Sequence, residues 1–409
     1  MSGCGCDSGG LMPLSQALER LLADVRPLCE SESVPLEQAR GRVLALDLLS
    51  TIAVPPADNS AMDGYAVNTA SLPDNLLLPV SQRIPAGVQG ASLHPGTAAR
   101  LFTGSEIPPG ADAVIMQEQC EQQGEYVQLN RRPQAGDHIR PAGQDIRPGQ
   151  CVVPAGTRLD ARHLGVIASV GIDRVPVYRR LRVVVLNTGD ELLMPGQPNQ
   201  PGKIYNSNYF TLLGLLEPLG VEVIFSGVVE DRFETTRDAL ALAAEKGDLI
   251  LSSGGVSVGE EDHVKAAVQS LGELGLWRLA IKPGKPLAYG RVGRTPFIGL
   301  PGNPAAVLVT FLMLARPYLL KQQGCTALQP ICFQLPAGFN RQRAIPRDEF
   351  IRARLVQGKG GLQAAPLDNQ SSGVLSSASQ AGGLLLIPAG ECVAEGQLLN
   401  FYPFHGLLD

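Results

Sequence analysis

The chain has 409 residues, 44% of them apolar, and 34 Lys and Arg against 39 Asp and Glu give a formal net charge of −5. That length exceeds one ordinary core, so two to four domains are expected. The mild acidity lacks any dense basic block and argues against a duplex-binding face or a polybasic membrane anchor, and 5% aromatics with one tryptophan, Trp277, are too few for single-strand stacking platforms.

The opening MSGCGCDSGGLMPLSQ has no basic stretch followed by an apolar one and is not expected to be a secretory signal. Eight cysteines, at 4, 6, 29, 120, 151, 325, 332 and 392, form no CxxC pair and have no His at ligand spacing. Neither a zinc site nor a disulfide framework emerges, and the reducing cytoplasm is the expected location. Cys4 and Cys6 sit in a Gly/Ser-rich leader and read as part of a disordered tail rather than a soft-metal site.

Leu14, Leu18, Leu21, Leu22 and Val25 recur at helical spacing, so an amphipathic helix is predicted over 14–26, stopped by Pro27. From Val54 to about Gly143, short apolar runs broken by PP, PAG, PG and PPG predict a β-rich module. HLGVIASVG, 163–171, predicts a short helix returning the chain to the first one, which makes the β-rich module (about 53–143) an insertion in an N-terminal region of 11–177. Between 178 and 322 the rhythm is clearest. Strands at 183–186, 221–225 and 249–251 alternate with helices at 207–217, 232–245 and 260–271, the pattern of βαβ units and a parallel sheet. A last helix, 304–319, begins at Pro304 with Asn303 as N-cap. Its apolar run, Ala305 to Ala315, is shorter than the roughly 18 residues of a membrane span. FIRARLV and GGLLLIP predict a small β-domain over 328–409. The fold class is therefore multidomain, α/β and β.

Three Gly/Pro-rich turns, SSGGVSVGEED, AIKPGKP and GLPGNPAA, fall between Asp248 and Ala306, each after a short apolar run. In open α/β sheets the ligand crevice lies beyond the carboxyl ends of the strands, so these turns predict one anion-binding cleft. Gly254 and Gly255 would let backbone N–H groups close on an oxyanion, with Ser252, Ser253 and Ser257 adding hydroxyls. The loop has neither the GK[ST] of a P-loop nor the spacing of a dinucleotide site. Lys282 and Lys285 flank Pro283-Gly284 and could converge on one anion. Asp262, in the first turn of the next helix, could equally complement its dipole. Asp58 and Asp63, Asp145, and Asp190 with Glu191 occupy other turns, where capping is the plain alternative. If several of them meet the anion site, a cation must lie between, and carboxylates beside phosphates are the usual Mg²⁺ arrangement.

Taken together, DNSAMDGYAV, LFTGSEIPPGADAVIMQEQ, the AGQDI and PAGTRL segment, NTGDEL, SSGGVSVGEED, AIKPGKPLAYG and GLPGNPAA resemble molybdopterin molybdenumtransferases of the MoeA type. The resemblance implies a central molybdopterin-binding parallel-sheet α/β domain, a helical N-terminal region with an inserted β-rich part, and a C-terminal β-barrel. It implies insertion of molybdate into adenylylated molybdopterin, with Mg²⁺ and release of AMP. It also implies a homodimer, with a molybdopterin adenylyltransferase and molybdoenzymes or their chaperones as further partners.

By motif, the resemblance assigns importance to Asp58, Thr103, Asp145, Glu191, Asp231, Asp262, Lys282, Lys285, Pro301 and Pro304, with Arg352 and Ser372 in the looser C-terminal match. On this reading the 252–259 loop (Ser252, Gly254, Gly255 and Ser257) and both lysines hold the pterin phosphate or adenylate. Glu191, Asp58 and Asp145 organise Mg²⁺ and molybdate, with Asp58 and Asp145, which lie on another module, acting across a dimer interface. Gln144 and His263 depart from the family's usual acidic and aromatic residues. Two other functions fit the same α/β domain: an adenylyltransferase using ATP, and a non-catalytic scaffold like the related part of gephyrin.

Overall fold

A computed structural model describes residues 10–255, 263–358 and 360–408, with the backbone alone at residue 226. Its centre is a six-stranded sheet in the order Glu222–Val229, Arg182–Thr188, Leu249–Ser253, Thr295–Leu300, Pro286–Val292, Gly272–Arg278. The first four strands are parallel, as the alternation with helices Ser207–Leu216 and Phe233–Lys246 predicts. The last two are antiparallel, which differs from the wholly parallel expectation. Pro286–Val292 and Thr295–Leu300 are joined by only Gly293 and Arg294, enough for a hairpin but far too short for a parallel crossover. Leu249–Ser253 is buried throughout, as a continuous apolar run in a parallel sheet requires. Because Arg182–Thr188 lies between Glu222–Val229 and Leu249–Ser253, connections diverge on either side of it, and a crevice opens at its carboxyl end.

The last helix runs from Pro304 to Gln322 through a π-helical turn at Phe311–Ala315. It is long and apolar enough to cross a membrane by length and composition, yet most of it is buried inside the protein, so it is a core helix here. Asn303 gives it no side-chain cap; instead the Asn303 carbonyl accepts from Ala306 and Val307 N–H. The first helix, Leu14–Ala23, stops three residues short of the expected end. Lys321 Nζ donates to the Leu22 carbonyl at 2.8 Å, closing that end against the last helix. The expected return of the second helix to the first does not occur. Ala161–Ser169, started by an Asp160/His163 capping box, packs on Leu36–Gln38 and Cys151–Val153 instead.

Ser31–Pro35 pairs with Arg174–Tyr178, and Leu48–Leu49 with Cys151–Val153, so the chain leaves and returns along paired strands. Between them lies a six-stranded sheet in the order Ala113–Met116, Gly64–Val67, Ala98–Leu101, Leu77–Ile84, Tyr126–Leu129, Cys120–Gln123. A third sheet is built on the long strand Asp348–Gly358, flanked by Gly383–Ile387, Leu398–Pro403 and Phe333–Pro336. Gly361–Pro366 pairs with its other edge, and a bridge from Ala337 to Ala364 curls the sheet back on itself. Ile281–Lys282, from the central unit, adds to this sheet beside Asp348–Glu349. Leu21 of the first helix, Leu251 of the central sheet, Leu312 of the last helix and Phe350 of the third sheet belong to one buried cluster. Burial of that apolar surface fixes the third sheet against the central one.

Candidate functional site

A cleft of about 1170 Å³ opens at the carboxyl ends of the parallel strands. Thr188 and Glu191 enter it from the end of Arg182–Thr188, Ser253, Gly254 and Gly255 from the end of Leu249–Ser253, and Pro301 to Pro304 after Thr295–Leu300. Lys282 to Pro286 form another wall, and Asn206 to Asn208 open the helix Ser207–Leu216. The C-terminal sheet supplies Arg347 and the loop Gln370 to Gly373. The described start of the first Gly/Pro-rich turn and the other two turns therefore meet in one place.

Local chemistry sets their shape. Gly254 and Gly255 have φ of +90° and +64°, a region in which side chains other than glycine are strained. A Cβ on Gly255 would lie 2.3 Å from Val264 Cγ2. Just after Arg182–Thr188, a Cβ on Gly189 would meet Glu191 Oε2 at 2.6 Å, so glycine in NTGDEL lets the carboxylate fold back over the turn. Asn187 Nδ2 donates to Ser253 Oγ at 2.6 Å and ties the ends of Arg182–Thr188 and Leu249–Ser253 together. Asn208 Nδ2 donates to the Gly302 carbonyl at 2.8 Å, and Ala305 N–H to the Ser372 carbonyl at 3.0 Å.

Among the described residues, three cations (Lys282, Lys285, Arg347) and one carboxylate (Glu191) line the cleft, a balance that favours an anion. Lys282 Nζ is 2.8 Å from Glu349 Oε1, and Arg341 holds the other oxygen. Burial pushes the Glu349 carboxyl up, but hydrogen bonds from Lys282 and Arg341 outweigh it and hold the group below its ordinary 4.5. Arg347 Nη1 donates to the Ile281 carbonyl at 3.3 Å. Lys285 makes no ion pair among the described residues.

Arg352 is fully buried behind this wall. Its Nη2 donates to the carbonyls of Asn369 and Ser371, each at 2.9 Å, and its Nε to Ser377 Oγ at 3.0 Å. Gln370 accepts from the Arg352 amide and donates back to its carbonyl. These carbonyls offset the cost of burying a guanidinium, and the guanidinium in turn holds the cleft-lining loop in place.

A second polar group of loops sits on the inserted module. Thr103 donates its amide and hydroxyl to Asp63 Oδ1 at 2.7 and 2.8 Å, and these bonds hold the Asp63 carboxyl below its usual range. Ala142 N–H donates to Asp58 Oδ1 at 2.8 Å, and Asp145 N–H to the Val54 carbonyl at 2.9 Å. Asp58, Thr103 and Asp145 are all exposed, and none lines the cleft of its own chain.

The family model of the MoeA N-terminal region (domain I and II) matches residues 12–171. That of the probable molybdopterin binding domain matches 184–321, and that of the MoeA C-terminal region (domain IV) matches 334–404. A molybdopterin molybdenumtransferase of Haemophilus influenzae is 37% identical over 97% of this chain and 100% of its own length. The chain belongs to the MoeA family. A molybdopterin molybdenumtransferase of a Nostoc species is 36% identical over 88% of this chain and 86% of its own. A molybdopterin biosynthesis MoeA protein of Pyrococcus horikoshii, solved by crystallography, superposes with a TM-score of 0.84 at 29% identity, covering 96% of this chain and 100% of that one.

Within this MoeA chain, Glu191, Gly254, Gly255, Lys282, Lys285, Pro301, Pro304 and Ser372 line the cleft as expected positions. Three expectations are corrected. Ser252 is fully buried one residue too early on its strand and does not reach the cleft. Asp231 lies outside the lining, where its N–H donates to Asp190 Oδ1 at 3.1 Å. Arg352 supports the wall from behind rather than touching a ligand. Asp58 and Asp145 lie apart from Glu191 within one chain, where among the described residues no three His, Cys, Asp or Glu groups gather closely enough to hold a metal ion; this leaves the expectation that they act across a dimer interface where it stood. Ser257 and Asp262 lie outside the described residues. Arg347, Glu349 and Asn208 were missed. The N-cap pattern of Asn206-Ser207-Asn208 was a usable signal, whereas nothing local distinguishes Arg347 and Glu349 in AIPRDEF.

Proposed function

We propose that this chain is a molybdopterin molybdenumtransferase acting in molybdenum cofactor biosynthesis: it inserts molybdate into adenylylated molybdopterin and AMP is released. The observation that carries the reading is the cation-lined cleft at the strand ends, where Gly254, Gly255, Lys285 and Glu191 converge. The backbone at Gly254 and Gly255, with Lys282 and Lys285, would hold phosphate oxygens; Arg347 adds a guanidinium suited to the same oxyanion. Pro301 and Pro304 shape the turn that starts the last helix, and the Ser372 loop closes the opposite side.

Mg²⁺ characteristically takes one or two carboxylates and completes its shell with substrate phosphates and water, so Glu191 fits as one ligand. Bound there, the ion would neutralise charge on the phosphoanhydride. Asp58 and Asp145, with Thr103 and Asp63 beside them, would come from a second copy in a homodimer, because their own chain keeps them out of its cleft.

The test is to incubate the purified protein with adenylylated molybdopterin, molybdate and Mg²⁺. AMP release that depends on molybdate is expected, and Glu191→Gln should cut it by about a hundredfold or more while leaving the melting temperature unchanged. Adenylylation of molybdopterin from ATP, with no molybdate-dependent AMP release, would move the reading to the adenylyltransferase; neither activity would leave the scaffold.

A further inference from the structure

Glu349 has no task in the reading above, although its carboxylate reaches the cleft wall from another sheet. Ile281–Lys282 and Asp348–Glu349 run side by side as parallel register partners, Lys282 opposite Glu349. The Glu349 side chain is 5% exposed and holds the Lys282 ammonium at 2.8 Å; the Lys282 side chain remains 42% exposed. An ammonium has three N–H donors, so this contact leaves others for a ligand in the cleft. Glu349 cannot follow a wandering lysine, because Arg341 grips its second oxygen. Two residues earlier, Arg347 donates to the Ile281 carbonyl and fixes the same junction.

The two cleft lysines therefore differ. Lys285 has no ion pair among the described residues and must give up rotamer freedom when it binds an anion, whereas Lys282 has already given it up. We propose that Glu349 is a positioning residue: from the C-terminal sheet it aims the Lys282 ammonium into the cleft, so that Lys282 contributes to anion binding only while Glu349 holds it. This deepens the proposed function and rests on the cleft being its phosphate site. A mere staple between the two sheets would stabilise the fold but would leave the effect of Lys282 on ligand binding independent of Glu349.

A double-mutant cycle separates these, with the full chain titrated calorimetrically with AMP. Lys282→Met is expected to weaken AMP binding about tenfold. Glu349→Gln, which keeps shape and loses charge, is expected to weaken it about fivefold, and in that background Lys282→Met should cost less than about threefold more. Additive losses, or a Glu349→Gln protein that binds AMP as tightly as the native one, would overturn the proposal. Thermal melts check that each variant is folded. If Glu349→Gln is not, Glu349→Asp carries the same cycle, since it keeps a charge for Arg341 while drawing back from Lys282. A silent Lys282→Met beside a weakened Lys285→Met defeats the positioning role alone; silence at both lysines defeats the phosphate cleft as well.

Discussion

Glu349 shows how a buried carboxylate stays charged when two cations share it. Because its folded-state value lies below the ordinary 4.5, its contribution to stability is complete above that pH and is lost as pH falls through the lower folded value. Glu349→Gln is therefore expected to cost about 1–2 kcal/mol at neutral pH, by loosening its hold on Lys282 and Arg341, and progressively less in acid, once the pH falls below the lowered folded value and the native carboxyl is itself protonated. Urea denaturation at neutral and acid pH measures the difference; an equal loss at both would mean the ion pairs add nothing. Lys282 and Lys285 were legible in the sequence because a short Pro-Gly turn brings them together. Their partner was not, since Lys282 meets Glu349 only through the pairing of two sheets.

The glycine turn after Leu249–Ser253 must pass close to helix His263–Leu271, and only the absence of a side chain permits it. Gly255→Ala combines a left-handed φ with a clash against buried Val264, and should lower stability by about 1–3 kcal/mol and weaken AMP binding. Denaturant titration and calorimetry together check it, and an unchanged protein would show that the turn relaxes without consequence. The alternation of strands and helices from Arg182 onward was readable because buried parallel strands are continuous apolar runs. The antiparallel edge was readable only by counting the two residues of its hairpin. The end of the first helix was misjudged because Val25 keeps the apolar spacing after the helix has stopped at Ala23; it is buried without being helical.

In the whole molecule, one core joins the first helix, the central sheet, the last helix and the C-terminal sheet, while the polar loops around Asp58, Thr103 and Asp145 belong to a module with its own core. If those loops complete the cleft of a second copy, Asp58→Asn and Glu191→Gln proteins should each be inactive and should complement each other when mixed. After subunit exchange, half of the dimers would be mixed, each with one intact site, giving about one quarter of native AMP release. Activity absent after proven exchange would place both groups in the same chain's site.

The main elements and the turns that carry the anion cleft can be read off the chain, because apolar period and Gly/Pro placement act over a few residues at a time. Which donors share the cleft follows from packing between distant segments. Glu349, Arg347 and the loop held by Arg352 come from a sheet whose position is set by a common core, and Ser252 is withdrawn by burial one residue before its strand ends. Long-range contacts of this kind depend on which surfaces pack together, and no local pattern of residues encodes that.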